Sequence, residues 1–231
     1  MLTPDEWQIV ALSLRVSIVA VAVTLPPAFL LAWMLARGRF AGKILLDALV
    51  HLPLVLPPVV IGWMLLIAFG RTGPIGGWLY DSFGLTLIFR WTGAALASAV
   101  MALPLMVRAI RLSIEAIDRR LEGAARTLGA TPLHAFVTIS LPLSFPGILA
   151  ALVLGFARSI GEFGATITFV SSIPGETRTL PLAIYGQLQV PGGEAGVTRL
   201  ALISIALSLA ALVASELLAR KYRNGPSAHV L

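Results

Sequence analysis

Cysteine is absent from this sequence, charge is scarce, and acidic residues are scarcest of all. Without cysteine the chain forms no disulfide and no thiolate metal site. Charged residues fill 12% of the 231 positions, about half the roughly 25% of a soluble domain. Apolar residues fill 58%, above the roughly 45–50% of soluble chains, so the composition is that of a membrane protein. The net charge of +6 does not point to nucleic acid, because the basic residues stand beside apolar runs, as topology signals do. There are three histidines, His51, His134 and His229, and no His-Glu-x-x-His. Ala157-Arg158-Ser159-Ile160-Gly161 has alanine where the serine-hydrolase turn needs glycine. Gly42-Lys43 has Arg37 where a phosphate-binding loop needs its first glycine, so ATP is not hydrolysed here by that route. No catalytic residue, metal site or cofactor is expected, and no repeat of fixed period occurs. Asp5 and Glu6 precede the first apolar run, so no secretory signal is expected.

What fills the chain instead is long uncharged runs. Val16–Ala36 holds 21 residues, Ala48–Gly70 23, Trp91–Val107 17 and Leu200–Ser215 16. A fourth run, Thr127–Ala157, is punctuated by Gly129, Pro132 and His134, so its span is expected to start near Ser144 and to carry Arg158 and Glu162. A crossing helix needs about 20 residues, and snorkelling flanks make up the shorter runs. The expectation is an all-α membrane protein, one domain over 1–231, with five spans near 10–36, 46–70, 92–112, 144–170 and 197–219. Basic residues gather at Arg37, Arg39 and Lys43, at Arg108, Arg111, Arg119, Arg120 and Arg126, and at Arg220, Lys221 and Arg223. Basic loops stay cytoplasmic, which puts the amino terminus outside and the carboxyl terminus inside.

Pro26-Pro27, Pro53, Pro57-Pro58 and Pro104 fall inside the first three spans and predict bent helices in a packed bundle. The uncharged stretch 179–193 is too short to cross and is expected as an interfacial or re-entrant helix on the outer side. Arg15 is expected to snorkel. Asp47 and His51 read as a polar helix start, and the tail Asn224–Leu231 as frayed.

The stretch from about 113 to 143 interrupts the apolar pattern. Arg111–Glu115, Glu115–Arg119 and Glu122–Arg126 are opposite charges four apart, the spacing of a solvated helix. Gly129 reads as its stop, Thr131-Pro132 as the start of a second short helix, and Pro142 as the point where the membrane run resumes. Gly123, Ala124 and Ala125 leave room for another surface to approach.

Ala124-Ala125, then three residues, Gly129, then nine residues, Ile139, Ser140, Leu141 and Pro142 resemble the cytoplasmic signature of ABC-importer permeases. That signature begins with Glu, whose place Gly123 takes here, while Glu122 lies one residue early and about 100° round a helix. "HLPLVLPPVVIG", "RAIRLSIEAIDRRLEGAARTLGA" and "ARSIGEFGATITFVSSIPGETRTLP" look like the molybdate branch of that family. The resemblance implies a MetI-like bundle in the bacterial inner membrane. It implies a homodimer enclosing the pathway, two copies of an ABC ATPase, and a periplasmic oxyanion-binding protein that delivers substrate. It further implies that Glu122, Gly123, Ala124, Ala125, Gly129, Ile139, Leu141 and Pro142 couple to the ATPase. Sulfate, thiosulfate and tungstate are alternative substrates, and a self-sufficient ion-gradient transporter is the rival mechanism.

Arg158 and Glu162 lie one helical turn apart at membrane depth, where an ionisable group costs at least about 2.5–3.5 kcal/mol and needs a partner. They are expected to pair, either as a structural bridge or beside the oxyanion path. Gly161 and Gly164 are expected to let an opposing helix come close.

Overall fold

A computed structural model describes residues 3–223; the tail read as frayed lies outside them. The first helix, α1 (Pro4–Arg37), starts from a capping box. Glu6 N–H donates to Thr3 Oγ1, and Thr3 N–H donates to Glu6 Oε2 at 2.8 Å. With Pro4 in its first turn, the helix opens on a preset φ and few orphan donors. Its 34 residues span about 51 Å, longer than a bilayer core of about 30 Å. Val16, Ala20, Ala28, Ala32 and Leu35 form its buried stripe.

That stripe meets α5 (Trp91–Glu115), the central helix, whose buried face runs from Gly93 through Ala97, Met101 and Met106 to Ile114. Small side chains at the crossing bring the two backbones together, as expected where lipid supplies no hydrophobic drive between helices. Both helices also pack against α8 (Leu141–Ile160), and the three share one core. A Cβ added at Gly155 of α8 would come within 2.7 Å of the Met106 sulfur, so glycine is what permits the contact.

The second apolar run differs from expectation. It is not one helix but two, α2 (Lys43–Val55) and α3 (Pro58–Phe69), bent by 113° at Leu56-Pro57. Leu56, held extended before a proline, leaves the helical region, and Pro57 and Pro58 bring no N–H to continue the ladder. Among the described residues four helices are long and apolar enough to cross a membrane, and this bent pair counted as one span makes five.

The loop after α3 holds a short helix, α4 (Pro74–Phe83), which the charge pattern did not announce. Beyond α5 come α6 (Arg119–Thr127) and α7 (Pro132–Ala135), then a π-turn over Phe136–Ser140 that runs directly into α8. The fourth run also breaks. At Gly161–Phe163 the chain turns into α9 (Gly164–Val170), which lies against α3. The short uncharged stretch forms α10 (Leu180–Leu188), its Leu180 N–H donating to Ser13 Oγ of α1 at 2.7 Å. The last helix, α11 (Glu194–Arg223), is tied to α1 by Arg199 Nε, 2.9 Å from the buried Glu6 Oε1.

Candidate functional site

Two arrangements stand out, one at the α6 end of the bundle and one near the opposite end. At the first, α5 stops at Glu115 and does not continue through Arg126. Asp118 recaps the chain, accepting from Arg120 N–H at 2.9 Å, and α6 starts in a new direction. The three charge pairs expected on one continuous helix therefore fare differently. Arg111–Glu115 forms at 2.8 Å inside α5. Arg119, beyond the break, donates instead to the Ala36 carbonyl. Glu122 turns away from the Arg126 side and meets Arg37 Nη2 at 3.2 Å, while Ser140 Oγ donates to the same carboxylate oxygen at 2.6 Å.

Gly129 closes α6 with φ +95, the left-handed conformation that only glycine adopts without cost. Ala130 N–H reaches back to the Ala125 carbonyl at 3.0 Å, satisfying a last-turn acceptor. Thr131 then caps α7, accepting from His134 N–H at 3.2 Å, with Pro132 in the first turn.

The helix that carries the fourth apolar run does not begin at Pro142 but already at Pro132. Residues 132–160 form one continuous rod, with Ile139-Ser140-Leu141-Pro142 spanning the junction from π-turn to α-helix. Leu141 N–H donates five residues back, to the Phe136 carbonyl. The extra residue in the turn resets the ladder just where proline withholds a donor and would clash with a carbonyl four residues earlier. Phe136 packs edge-on against Trp33 of α1, ring centroids 4.8 Å apart.

Of the residues expected to couple, Gly123, Ala124, Gly129 and Pro142 are exposed, Ala125, Ile139 and Leu141 are half-buried, and Glu122 faces inward. A Cβ added at Gly123 would meet nothing within 4 Å. Around this bare face stand exposed apolar side chains. Leu128 is 90% exposed and Leu133 71%, with Leu121 and Val137 also exposed. The helical spacing of Leu133 and Val137 is legible in the sequence, whereas Leu121, in the arginine-rich α6, and Leu128, just after it, carry no such mark. The face is an apolar surface that no other described part of the chain covers.

The second arrangement is at the break between α8 and α9. Glu162 is 2% exposed, and both of its oxygens are used. Oε1 accepts from Ala165 N–H at 2.8 Å, which caps α9, and Oε2 lies 2.5 Å from Arg158 Nη1. A carboxylate at this depth is thus neutralised and hydrogen-bonded, which is what makes its burial tolerable. Arg158 keeps a quarter of its side chain exposed and guanidinium donors beyond Nη1. Gly164 does permit a close approach, since a Cβ there would fall 2.7 Å from the Pro58 Cβ of α3. Gly161 does not. The nearest atom to a Cβ there would be the Ala157 carbonyl oxygen of its own helix at 3.8 Å, because Gly161 sits on the turn, outside the helix contact.

Two further residues sit differently from expectation. Asp47 is not a helix start but a link between helices, with Oδ1 2.9 Å from Arg111 Nη1 of α5 and 3.3 Å from His51 Nδ1. These residues, with Arg108, Leu112 and Glu115, line a cavity of about 310 Å³. Arg15, an exposed residue, stacks its guanidinium 3.8 Å above the Trp91 ring, a contact the sequence did not announce.

The family described as "Binding-protein-dependent transport system inner membrane component" matches residues 28–224. The chain is 61% identical over 219 residues to the molybdenum transport system permease protein ModB of Escherichia coli (strain K12), covering 95% of this chain and 96% of that one. It is 58% identical over 216 residues to the protein of the same name from Haemophilus influenzae, covering 94% of each. Among solved structures, a bacterial alginate ABC transporter in complex with an alginate pentasaccharide-bound periplasmic protein superposes with a TM-score of 0.75. Its sequence identity is 18%, over 96% of this chain and 81% of that one, a likeness of fold alone.

Proposed function

Because this chain belongs to the family of binding-protein-dependent transport system inner membrane components, we propose that it is the permease subunit of an ATP-driven molybdate importer. The observation that carries the substrate is the 61% identity, sustained over 95% of the chain, to a molybdenum transport permease. In this reading two copies enclose the pathway, and a periplasmic receptor delivers the oxyanion at the end where α1 begins. Two ATPase subunits engage the opposite end. That end is cytoplasmic, because it carries the basic clusters at Arg37–Lys43 and Arg108–Arg126.

The mechanism follows from the shape of the α6 end. The ATPase covers Leu121, Leu128, Leu133 and Val137 and fits against the bare backbone at Gly123 and Ala124. Movement of the ATPase on nucleotide binding then pushes on α6 and α7. From α7 it passes along one uninterrupted helical rod, residues 132–160, to the Arg158–Glu162 break near the other side of the membrane. There Arg158 offers its remaining donors to a passing dianion, and Glu162 keeps the anion from being held too tightly.

Docking is tested by co-purifying the chain with its ATPase. Leu128→Glu places a charge on the buried contact, and Gly123→Trp fills the close approach. Each is expected to release the ATPase while the chain still inserts in the membrane. Full retention of the ATPase by both variants would contradict the reading.

A further inference from the structure

Glu122 stands one position before the place where the resembled signature has its glutamate, and its side chain points into its own chain. We infer that Glu122 is a positioning strut that ties α6 to α1 and to the π-turn, so that the three shift as one body when the ATPase moves. The inference rests on the docking reading above and assigns one of its residues a different role.

The geometry is specific. A single carboxylate oxygen of Glu122 accepts from Arg37 Nη2 at 3.2 Å and from Ser140 Oγ at 2.6 Å. Arg37 ends α1, and Ser140 ends the π-turn and is fully buried. The carboxylate therefore joins α6 both to the π-turn that follows it and to the distant end of α1. Two backbone contacts run alongside it, with Arg37 Nη2 also donating to the Ile117 carbonyl and Arg119 Nη2 to the Ala36 carbonyl. The Arg37 side chain is only 12% exposed, and its buried Nε has no hydrogen-bond partner among the described residues. A guanidinium so far removed from water is held by its carboxylate and its stack on Trp33, 5.9 Å away. Trp33 in turn packs on Phe136 of the π-turn, so a polar and an aromatic contact fasten the same joint.

Since this chain has no cysteine, Ala41→Cys and Arg120→Cys at two exposed sites supply its only thiols for a pair of spin labels. The distance is measured in the full transporter, assembled with a cysteine-free ATPase and with one labelled and one unlabelled copy of this chain, nucleotide-free and with ATP trapped. The strut predicts one narrow distribution in both states. Glu122→Ala, which removes both contacts to the carboxylate, is expected to broaden it and to lower uptake per ATP hydrolysed at least about tenfold. Ser140→Ala, which removes a single bond, is expected to broaden it less. The exchange of Arg37→Glu with Glu122→Arg is expected to narrow it again and restore most of the uptake per ATP. An unchanged distribution and coupling ratio in Glu122→Ala overturns the inference. So does release of the ATPase by Glu122→Ala with the distance still narrow, because Glu122 would then face the ATPase. Failure of the unaltered chain to hold any ATPase overturns the docking reading itself, and with it the role of the strut in coupling.

Discussion

A leucine that is 90% exposed next to a glycine turn is an unusual thing for a chain to keep. Covering a leucine is worth about 1.5–3 kcal/mol, so Leu128 contributes to affinity only when something else covers it. Arg158 poses the opposite problem, a cation held at membrane depth by a carboxylate that also caps α9. The two roles open to Arg158 separate on substitution. Arg158→Gln keeps a hydrogen-bond donor toward Glu162 but removes the charge. If the arginine serves the anion path, uptake falls at least tenfold with the assembly intact, a loss on the order of 1.4 kcal/mol at the barrier. If the complex no longer assembles in detergent, Arg158 is structural. The pairing itself was legible in the sequence, because four residues on a helix put two side chains on one face. That the helix stops at Ile160 and leaves Glu162 in the break was not, because only the tertiary fold shows where the chain turns toward α9.

At the scale of elements, prolines and glycines decide where this membrane protein departs from straight helices. Hydropathy located the apolar runs because a bilayer accepts little else. It could not show that Ala48–Gly70 bends by 113° at Leu56-Pro57, since a proline pair is compatible with a kink or with a full turn. Nor could it show the π-turn at Phe136–Ser140, whose cause is the position of Pro142 in a helix that starts ten residues earlier. The charge spacing from Arg111 to Arg126 suggested one helix, and Asp118 divided it, because an aspartate able to cap competes with helix continuation. The crossing of α3 and α9 gives a direct test of packing. A Cβ at Gly62 would fall 2.6 Å from the Ala165 carbonyl oxygen, backbone that has little room to give. Gly62→Val is therefore expected to cost about 1–3 kcal/mol of stability. It should lower the unfolding temperature in detergent, whereas Gly161→Ala, which meets no other helix, should change it little. Equal melting of the two variants would count against the close crossing.

At the scale of the whole molecule, the described helices gather around α5, which meets α1 and α8 in one shared core. The uncovered apolar faces of α2, α3 and α11 are what a bilayer or a second copy would meet. The two ends differ in kind. One carries basic clusters and the bare α6–α7 face. The other carries the pair of buried Glu6 with exposed Arg199 and the short helices α4 and α10. A separate ATPase acting at the first end and a receptor at the second would give import. The most direct measurement is molybdate uptake into proteoliposomes holding this chain with its ATPase and receptor. The account predicts uptake that requires ATP and both partners, persists when ionophores collapse every ion gradient, and yields to tungstate before sulfate. Uptake by the chain alone, driven by an ion gradient without ATP, would contradict it.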